Sequence, residues 1–399
     1  MKILVLNAGS SSLKYQLFNM DTSEVLAKGT CERIGAGGTI THKKSGAQPL
    51  FEEIDLPNHS TALARVLELL CSAELGVIAS VKEIEAVGHR VVHGGEMLES
   101  SRITESVVKY LETIVPLNPL HGPPAIAGIR ACLELMPDVP QAAVFDTSFY
   151  STIEDFRYIY PIPYEFYEND KIRRYGFHGT SHRYVSAELA KALGKPIEEL
   201  KIVTCHLGNG SSITAIDGGK AIDTSMGFTP QEGIAMGTRS GSIDPTIVTY
   251  LIKAKGYTAD EVENILNKKS GLLGITGLSN DCRNVTEAAA DGNKRAELAI
   301  KILTNGIKKH IGAYAAEMNG IDALVFTAGI GENQWNIREK VCEDMSFLGI
   351  EIDKDKNKNF TRGIPFDISA EGARVATWII PTDEEYMIAI DTQRIAEKS

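Results

Sequence analysis

Two stretches of this chain, about half its length apart, carry the same short pattern, and that repetition constrains the fold more than any other feature. The apolar run Lys2–Leu6 leads into Asn7-Ala-Gly-Ser-Ser-Ser and a second strand-like run, Leu13–Phe18. The run Ile202–His206 leads into Leu207-Gly-Asn-Gly-Ser-Ser and then Ile213–Ile216, closing on Asp217-Gly-Gly. Each copy reads as strand, small-residue turn, strand. A chain of 399 residues is long for one hydrophobic core and comfortable for two. Two related domains, with nucleotide phosphates held between their hairpins, account for the repetition.

Charge then narrows the ligands. The formal charge of −11 argues against an extended nucleic-acid footprint. An acidic protein can still bind an anionic nucleotide through isolated Arg and Lys residues, backbone N–H groups or Mg²⁺. The first apolar run is too short for a signal peptide, and no stretch approaches membrane-spanning length. The six cysteines are scattered without a C-x-x-C pair, which points to buried reduced thiols in a cytoplasmic protein that does not engage a membrane.

The remaining elements follow from periodicity. Val25–Ile34 and Thr39–Lys43 continue a meander, with the turn at 35–38. Leu63, Val66, Leu67 and Leu70 mark a helix from about Ser60. A strand Glu85–Val92 leads into His93-Gly-Gly, Pro123-Pro124 opens a helix, and the strand Ala142–Phe145 ends at Asp146. In the second half, helices are expected at Asp244–Lys255, Ala259–Lys268 and near Lys294–Met318. The strand Asp322–Thr327 runs into Ala328-Gly-Ile-Gly-Glu-Asn, a connection that precedes a helix; Val375–Ile380 is a late strand and Asp383–Lys398 a closing helix. Thr382-Asp-Glu-Glu reads as a capping box, with Thr382 as N-cap, Glu385 bonding back and Glu384 left free.

Several segments carry chemistry. The turns at 7–12 and 208–212 offer N–H groups and hydroxyls that can approach phosphate, or else are ordinary polar hairpins. Lys14 shares a strand face with Ser12. Neither turn fits the P-loop pattern, and no G-x-G-x-x-G follows a strand. Arg90 sits near a strand end in Gly-His-Arg-Val-Val-His-Gly-Gly, His178 among glycines, and Arg239 in Gly-Thr-Arg-Ser-Gly-Ser. Arginine flanked by small residues suits carboxylate or phosphate, although a lone arginine is more often a surface ion pair. His89 and His93 lack the Glu of H-E-x-x-H, so zinc is not expected.

Asn-Ala-Gly-Ser-Ser-Ser-Leu-Lys at 7–14, Tyr-Gly-Phe-His-Gly-Thr-Ser-His at 175–182, His-Leu-Gly-Asn-Gly-Ser-Ser at 206–212 and Ala-Gly-Ile-Gly-Glu-Asn at 328–333 occur in that order across nearly the whole chain. Together they resemble the acetate kinase family, part of the sugar kinase, heat-shock chaperone and actin superfold. The resemblance implies an α/β fold of two duplicated actin/sugar-kinase-like (ribonuclease H-like) domains with an active-site cleft between them. It places residues 1–148, completed by a helix at 384–399, in an N-terminal domain, and 149–383 in a nucleotide-binding domain.

The same resemblance implies roles. Asn7 and Glu384 would hold Mg²⁺ (Mn²⁺ being an alternative), directly or through water, with Glu385 the rival to Glu384. Lys14 would touch ATP phosphate. His206, Leu207, Gly208, Asn209 and Gly210 would form a second phosphate clamp; Asp281, Cys282, Arg283, Gly329, Ile330, Gly331, Glu332 and Asn333 would form the nucleotide pocket. Arg90 and Arg239 would bind the acid and the transferring phosphoryl group, and His178 would donate to its developing charge. Val92, Leu120, Phe177 and Pro230 would line a pocket for the acid's methyl group, and valine at 92 narrows it toward acetate. Asp146 is the family's catalytic acidic residue. An ionised carboxylate needs no base, so fixing Arg90 or Mg²⁺-bound water is the better physical role for it. The implied activity is reversible phosphoryl transfer from ATP to acetate by a homodimer. The alternatives are a propionate or butyrate kinase, or a nucleotide-dependent scaffold or ATPase on the same superfold. A serine hydrolase using Ser10–Ser12 lacks the G-x-S-x-G elbow.

Overall fold

The computed structural model describes residues 1–398 and resolves the chain into two compact units: Met1–Phe149 together with the segment from Asp383 onward, and Tyr150–Thr382. The first unit holds eight strands, β1 (Lys2–Gly9), β2 (Ser12–Asn19), β3 (Glu24–Glu32), β4 (Thr39–Lys44), β5 (Leu50–Glu53), β6 (Ala86–Val91), β7 (Ser101–Arg102) and β8 (Gln141–Phe145). They form one sheet in the order β5-β4-β3-β2-β1-β6-β8-β7. The second unit holds β9 (Lys201–Leu207), β10 (Ser211–Asp217), β11 (Lys220–Thr224), β12 (Ala323–Thr327), β13 (Phe366–Asp367) and β14 (Ala376–Ile379). Their order is β11-β10-β9-β12-β14-β13.

Without the edge strands, the two sheets are the same. In each, the first three strands form an antiparallel meander, and two further strands join the first in parallel. The repeated strand–turn–strand pattern is therefore the opening hairpin of each copy of a duplicated α/β unit. This is the duplicated α/β arrangement that the resemblance implies.

The near-continuous apolar run at the N-terminus is explained by burial on both sheet faces. Leu4 and Leu6 point with Leu13 and Leu17 toward one core, which includes Leu63, Val66 and Leu70 of the helix His59–Leu70. Ile3 and Val5 point the opposite way, against Val144 and Ile388 of the closing helix Glu384–Ala396. The period-two alternation thus serves two layers. In the second unit Val203, Cys205, Ile213, Leu324 and Phe326 pack with the long helix Lys294–Glu317.

Most predicted elements lie within a residue or two of the observed ones, but three differ in kind. β1 runs on through Asn7 to Gly9 and turns tightly, with Gly9 opposite Ser12. The residues 328–333 are themselves a short helix, Ala328–Asn333, rather than a loop ahead of one. The closing helix has no capping box: Asp383 is the N-cap, and its carboxylate accepts from the N–H of Tyr386 at 2.9 Å. Aspartate caps as well as threonine, while the Thr382 hydroxyl is engaged by Ser181 at 2.8 Å. All six cysteines are free thiols. Among the described residues no helix is long and apolar enough to cross a membrane.

Gly88 in β6 lies under the closing helix, where an added Cβ would overlap the Thr392 hydroxyl and come within 2.8 Å of Ile388 Cγ2. Gly88→Ala should cost about 1–3 kcal/mol by overpacking. Thermal unfolding should show a lowered Tm, and hydrogen exchange should show protection lost in Glu384–Ala396.

Candidate active site

In the first unit, three charged side chains meet where strands of the duplicated core end. Arg90 lies on β6 beside β8, and Asp146 follows the last residue of β8. Arg90 Nε donates to Asp146 Oδ1 at 3.1 Å and Nη2 to Oδ2 at 2.8 Å, a bidentate pair. Asp146 is fully buried, and its own N–H is held by the carbonyl of Val91 at 3.1 Å. Glu384, in the first turn of the closing helix, brings Oε2 to 3.4 Å from Arg90 Nη2. It is therefore an ion-pair partner, not the free carboxylate that a capping box would leave.

The electrostatics leave this cluster with excess negative charge. Burial alone would weaken Arg90's hold on its proton, but Asp146 and Glu384 more than offset it and the net shift is upward. Burial raises the pKa of Glu384; the charges of Asp146 and Asp383 add to this, and Arg90 and Lys14 only partly oppose it. Two carboxylates against one guanidinium suit an added cation. Mg²⁺ is commonly held by one or two protein groups, with water and phosphate oxygens completing the shell, so Glu384 and Asn7 fit that ion chemically. Among the described residues no cluster of three or more His, Cys, Asp or Glu could hold a metal alone. Asn7 stands opposite Lys14 in the β1–β2 hairpin. Lys14, Lys28, Lys43 and Glu385 line a hollow of about 260 Å³ on that sheet.

In the second unit, three motifs distant in sequence converge on one turn. His178 adopts a left-handed conformation, φ 59°, at the N-terminus of the helix Gly179–Leu193. Its ring stacks on His206 of β9 with centroids 4.1 Å apart. The Gly208–Gly210 turn joins β9 to β10. A Cβ on Gly210 would meet Arg239 Nη1 at 3.3 Å and His178 Nε2 at 3.6 Å, so Gly210 permits both side chains to approach. Gly237 is required for a similar reason, since a Cβ there would collide with Asn209 Oδ1. Arg239 Nη1 donates to the Pro230 carbonyl at 2.9 Å. Burial lowers the pKa of Arg239, and among the described residues no carboxylate pairs with it.

Beside this turn lies a groove of about 710 Å³, a usual size for a small-molecule site. Of the residues expected to bind nucleotide, Gly208, Asn209, Asp281, Cys282, Arg283, Gly329, Ile330 and Asn333 line it. Asn280, Gln334 and Arg362 also line it and were not anticipated. Gly331 is buried, and Glu332 turns inward, its Oε1 accepting from the N–H groups of Ala328 and Thr382 at 2.9 and 3.2 Å. Beneath the turn Arg338 is fully buried and donates to the carbonyls of Gly331 and Glu332. Burial lowers its pKa to about 10. An arginine in a polar helix stretch gives no sequence signal for such a clamp.

The serines of the second turn depart from expectation. Ser211 Oγ bonds back to Gly208, and Ser212 Oγ lies between His178 and His182; both are buried. Their hydroxyls brace the site and do not face a phosphate. Of the expected acid-pocket residues, Val92 is half-buried and Leu120 is 57% exposed in the first unit. Phe177 is buried and Pro230 half-buried in the second.

Comparison with known proteins agrees across the full length. Residues 2–390 match the model of the Acetokinase family. The chain is 58% identical to an acetate kinase of Caldanaerobacter subterraneus subsp. tengcongensis, over all of this chain and 99% of that one. Among solved structures, it matches the Porphyromonas gingivalis acetate kinase with a TM-score of 0.94 and 46% identity, covering 99% of each chain. A propionate kinase from Francisella tularensis matches with a TM-score of 0.92 and 41% identity, again over 99% of each.

Because the folded state raises the pKa of Glu384, its contribution to stability is greatest below the ordinary Glu value and is lost as pH rises through the raised one. Glu384→Gln should therefore match the parent protein near pH 4 and melt higher than it at pH 8. Melting curves without nucleotide or metal check this; an equal or lower Tm at pH 8 contradicts it.

Proposed function

Because the chain belongs to the acetokinase family, we propose that it transfers the γ-phosphoryl group of ATP to acetate, giving acetyl phosphate and ADP reversibly by direct in-line transfer with Mg²⁺. The observation that carries this reading is the convergence at Gly210. A half-buried guanidinium, without a carboxylate partner among the described residues, and a histidine ring edge meet at a turn beside the groove of about 710 Å³. Such a guanidinium is built to receive an anion.

The proposed mechanism rests on charge. Acetate is already ionised near neutral pH, so its oxygen attacks without losing a proton, and the obstacle is repulsion between two anions. Arg239 and His178 supply positive charge and a hydrogen bond to the phosphoryl oxygens as they move. Arg90, whose Nε and Nη2 are held by Asp146, offers Nη1 to the acid. Asp146 acts by fixing that guanidinium and needs no proton-transfer role. Asn7 and Glu384 would hold Mg²⁺, which neutralises phosphate charge when bound. The groove residues Asp281, Cys282, Arg283, Gly329 and Ile330 would take the adenosine, and Lys14 a phosphate. Exclusion of water would favour acetate over hydrolysis.

Homodimer formation and a cytoplasmic location belong to the same proposal. Exposed Phe156, Ile162, Tyr164 and Tyr250 support self-association, and six free thiols suit a reducing compartment. A propionate preference is the second reading, favoured by the likeness to a propionate kinase; Val92 argues against it.

With ATP, Mg²⁺ and hydroxylamine, acetate should yield hydroxamate, propionate less and butyrate little. A butyrate preference keeps the kinase and overturns the narrow pocket, whereas ATP consumption without hydroxamate overturns the kinase. Val92→Ala should raise propionate kcat/KM relative to acetate by about 10-fold or more, within the range of roughly 10–200-fold that one methylene gives.

A further inference from the structure

Between β9, β10 and the helix Gly179–Leu193 lies a polar layer inside an otherwise apolar unit. Thr204 and His206 share one face of β9, and Ser212, opposite His206 in register, shares the matching face of β10. The helix presents His178 and His182, four residues apart, to that layer. His178 Nδ1 lies 2.9 Å from Ser212 Oγ, His182 Nε2 lies 2.7 Å from the same oxygen, and His182 Nδ1 lies 2.6 Å from Thr204 Oγ1. Thr204, His182 and Ser212 are wholly buried. The proposed function uses His178 alone of these five residues.

We infer that Ser212, braced by His182 and Thr204, is a positioning residue for phosphoryl transfer that fixes the ring and tautomer of His178. This deepens the kinase reading and rests on it. Hydrogen-bond polarity sets the tautomer. Burial, with the neighbouring His206, lowers the pKa of His182 far enough to keep it neutral, so it has one donor and one acceptor. A continuous chain, with Ser212 donating to one ring and accepting from the other, can then run in only two directions. In one, Thr204 donates to His182 Nδ1, His182 Nε2–H donates to Ser212, and Ser212 donates to His178 Nδ1. Every proton in that chain sits in a contact of 2.9 Å or shorter. In the reverse direction the Thr204 proton is left with the Thr214 carbonyl at 3.5 Å, a poor bond. The first direction prevails. Neutral His178 therefore carries its proton on Nε2, on the edge that approaches Gly210 beside Arg239. It donates to a phosphoryl oxygen without first becoming an imidazolium.

A spectrum and a kinetic cycle test this on the full-length protein. In ¹⁵N-histidine spectra, His178, assigned by loss of its signals in His178→Gln, should show the Nε2–H form. An Nδ1–H form overturns the inference whether or not the protein is a kinase. In the hydroxamate assay, Ser212→Ala should lower kcat on the order of 10-fold or more, the scale of losing an outer-shell partner. KM for ATP and acetate should stay within about threefold, since the groove is untouched. Ser212→Ala should add no further loss to His178→Gln if the serine acts through that ring. Independent, multiplicative losses would make Ser212 merely structural and overturn its positioning role. If the unmodified protein forms no hydroxamate, the kinase reading falls, and the tautomer spectrum alone decides the polarity.

Discussion

The bidentate pair between Arg90 and Asp146 sets a fixed guanidinium at the ends of two parallel strands, and the chemistry of the first unit is arranged around it. Its position follows from the sheet. β6 and β8 run side by side, Arg90 sits one residue before β6 ends, and Asp146 follows β8 directly. Open α/β sheets place ligands at such carboxyl ends because the strands stop there while the flanking helices continue. The first turn of the closing helix then adds Glu384. A single buried guanidinium would be costly, and a pair would be neutral. A guanidinium with two carboxylates has excess negative charge and remains receptive to a cation.

The second unit meets a different demand with the same scaffold. Its opening hairpin ends in Gly208–Gly210 instead of a charged cluster, and its receptive group is a guanidinium that no carboxylate among the described residues neutralises. One duplicated sheet thus supplies a negative-excess centre in one copy and an anion-receptive centre in the other.

Much of this was legible in the sequence because it depends on local pattern. The strand–turn–strand repeat located both hairpins, and the strands that carry Arg90 and His206 were read directly from short apolar stretches. The turn glycines marked Gly208, Gly210 and Gly329 as places of close approach. What escaped depends on tertiary partners. Thr382 and Asp383 are both good caps, and only the pairing of Thr382 with Ser181 leaves Asp383 to cap the helix. Ser211 and Ser212 follow glycine as a phosphate-binding serine would. The face that Ser212 presents is set by register against a helix whose first turn lies some 34 residues upstream. Arg338 and Arg362 sit in polar stretches that no periodicity distinguishes from solvent-exposed surface.

Under the proposed mechanism, fixed cations align two anions for direct transfer, with no protein group taking the phosphoryl on the way. Asp146 is the carboxylate most exposed to the opposite claim, that of a phosphorylated intermediate, yet both its oxygens are held by Arg90. The most direct measurement is the stereochemical course at phosphorus, using ATP made chiral at its γ-phosphoryl group with oxygen isotopes and acetate as acceptor. Inversion of configuration is the predicted result. Retention would require two successive displacements through a phosphorylated side chain and would contradict the account.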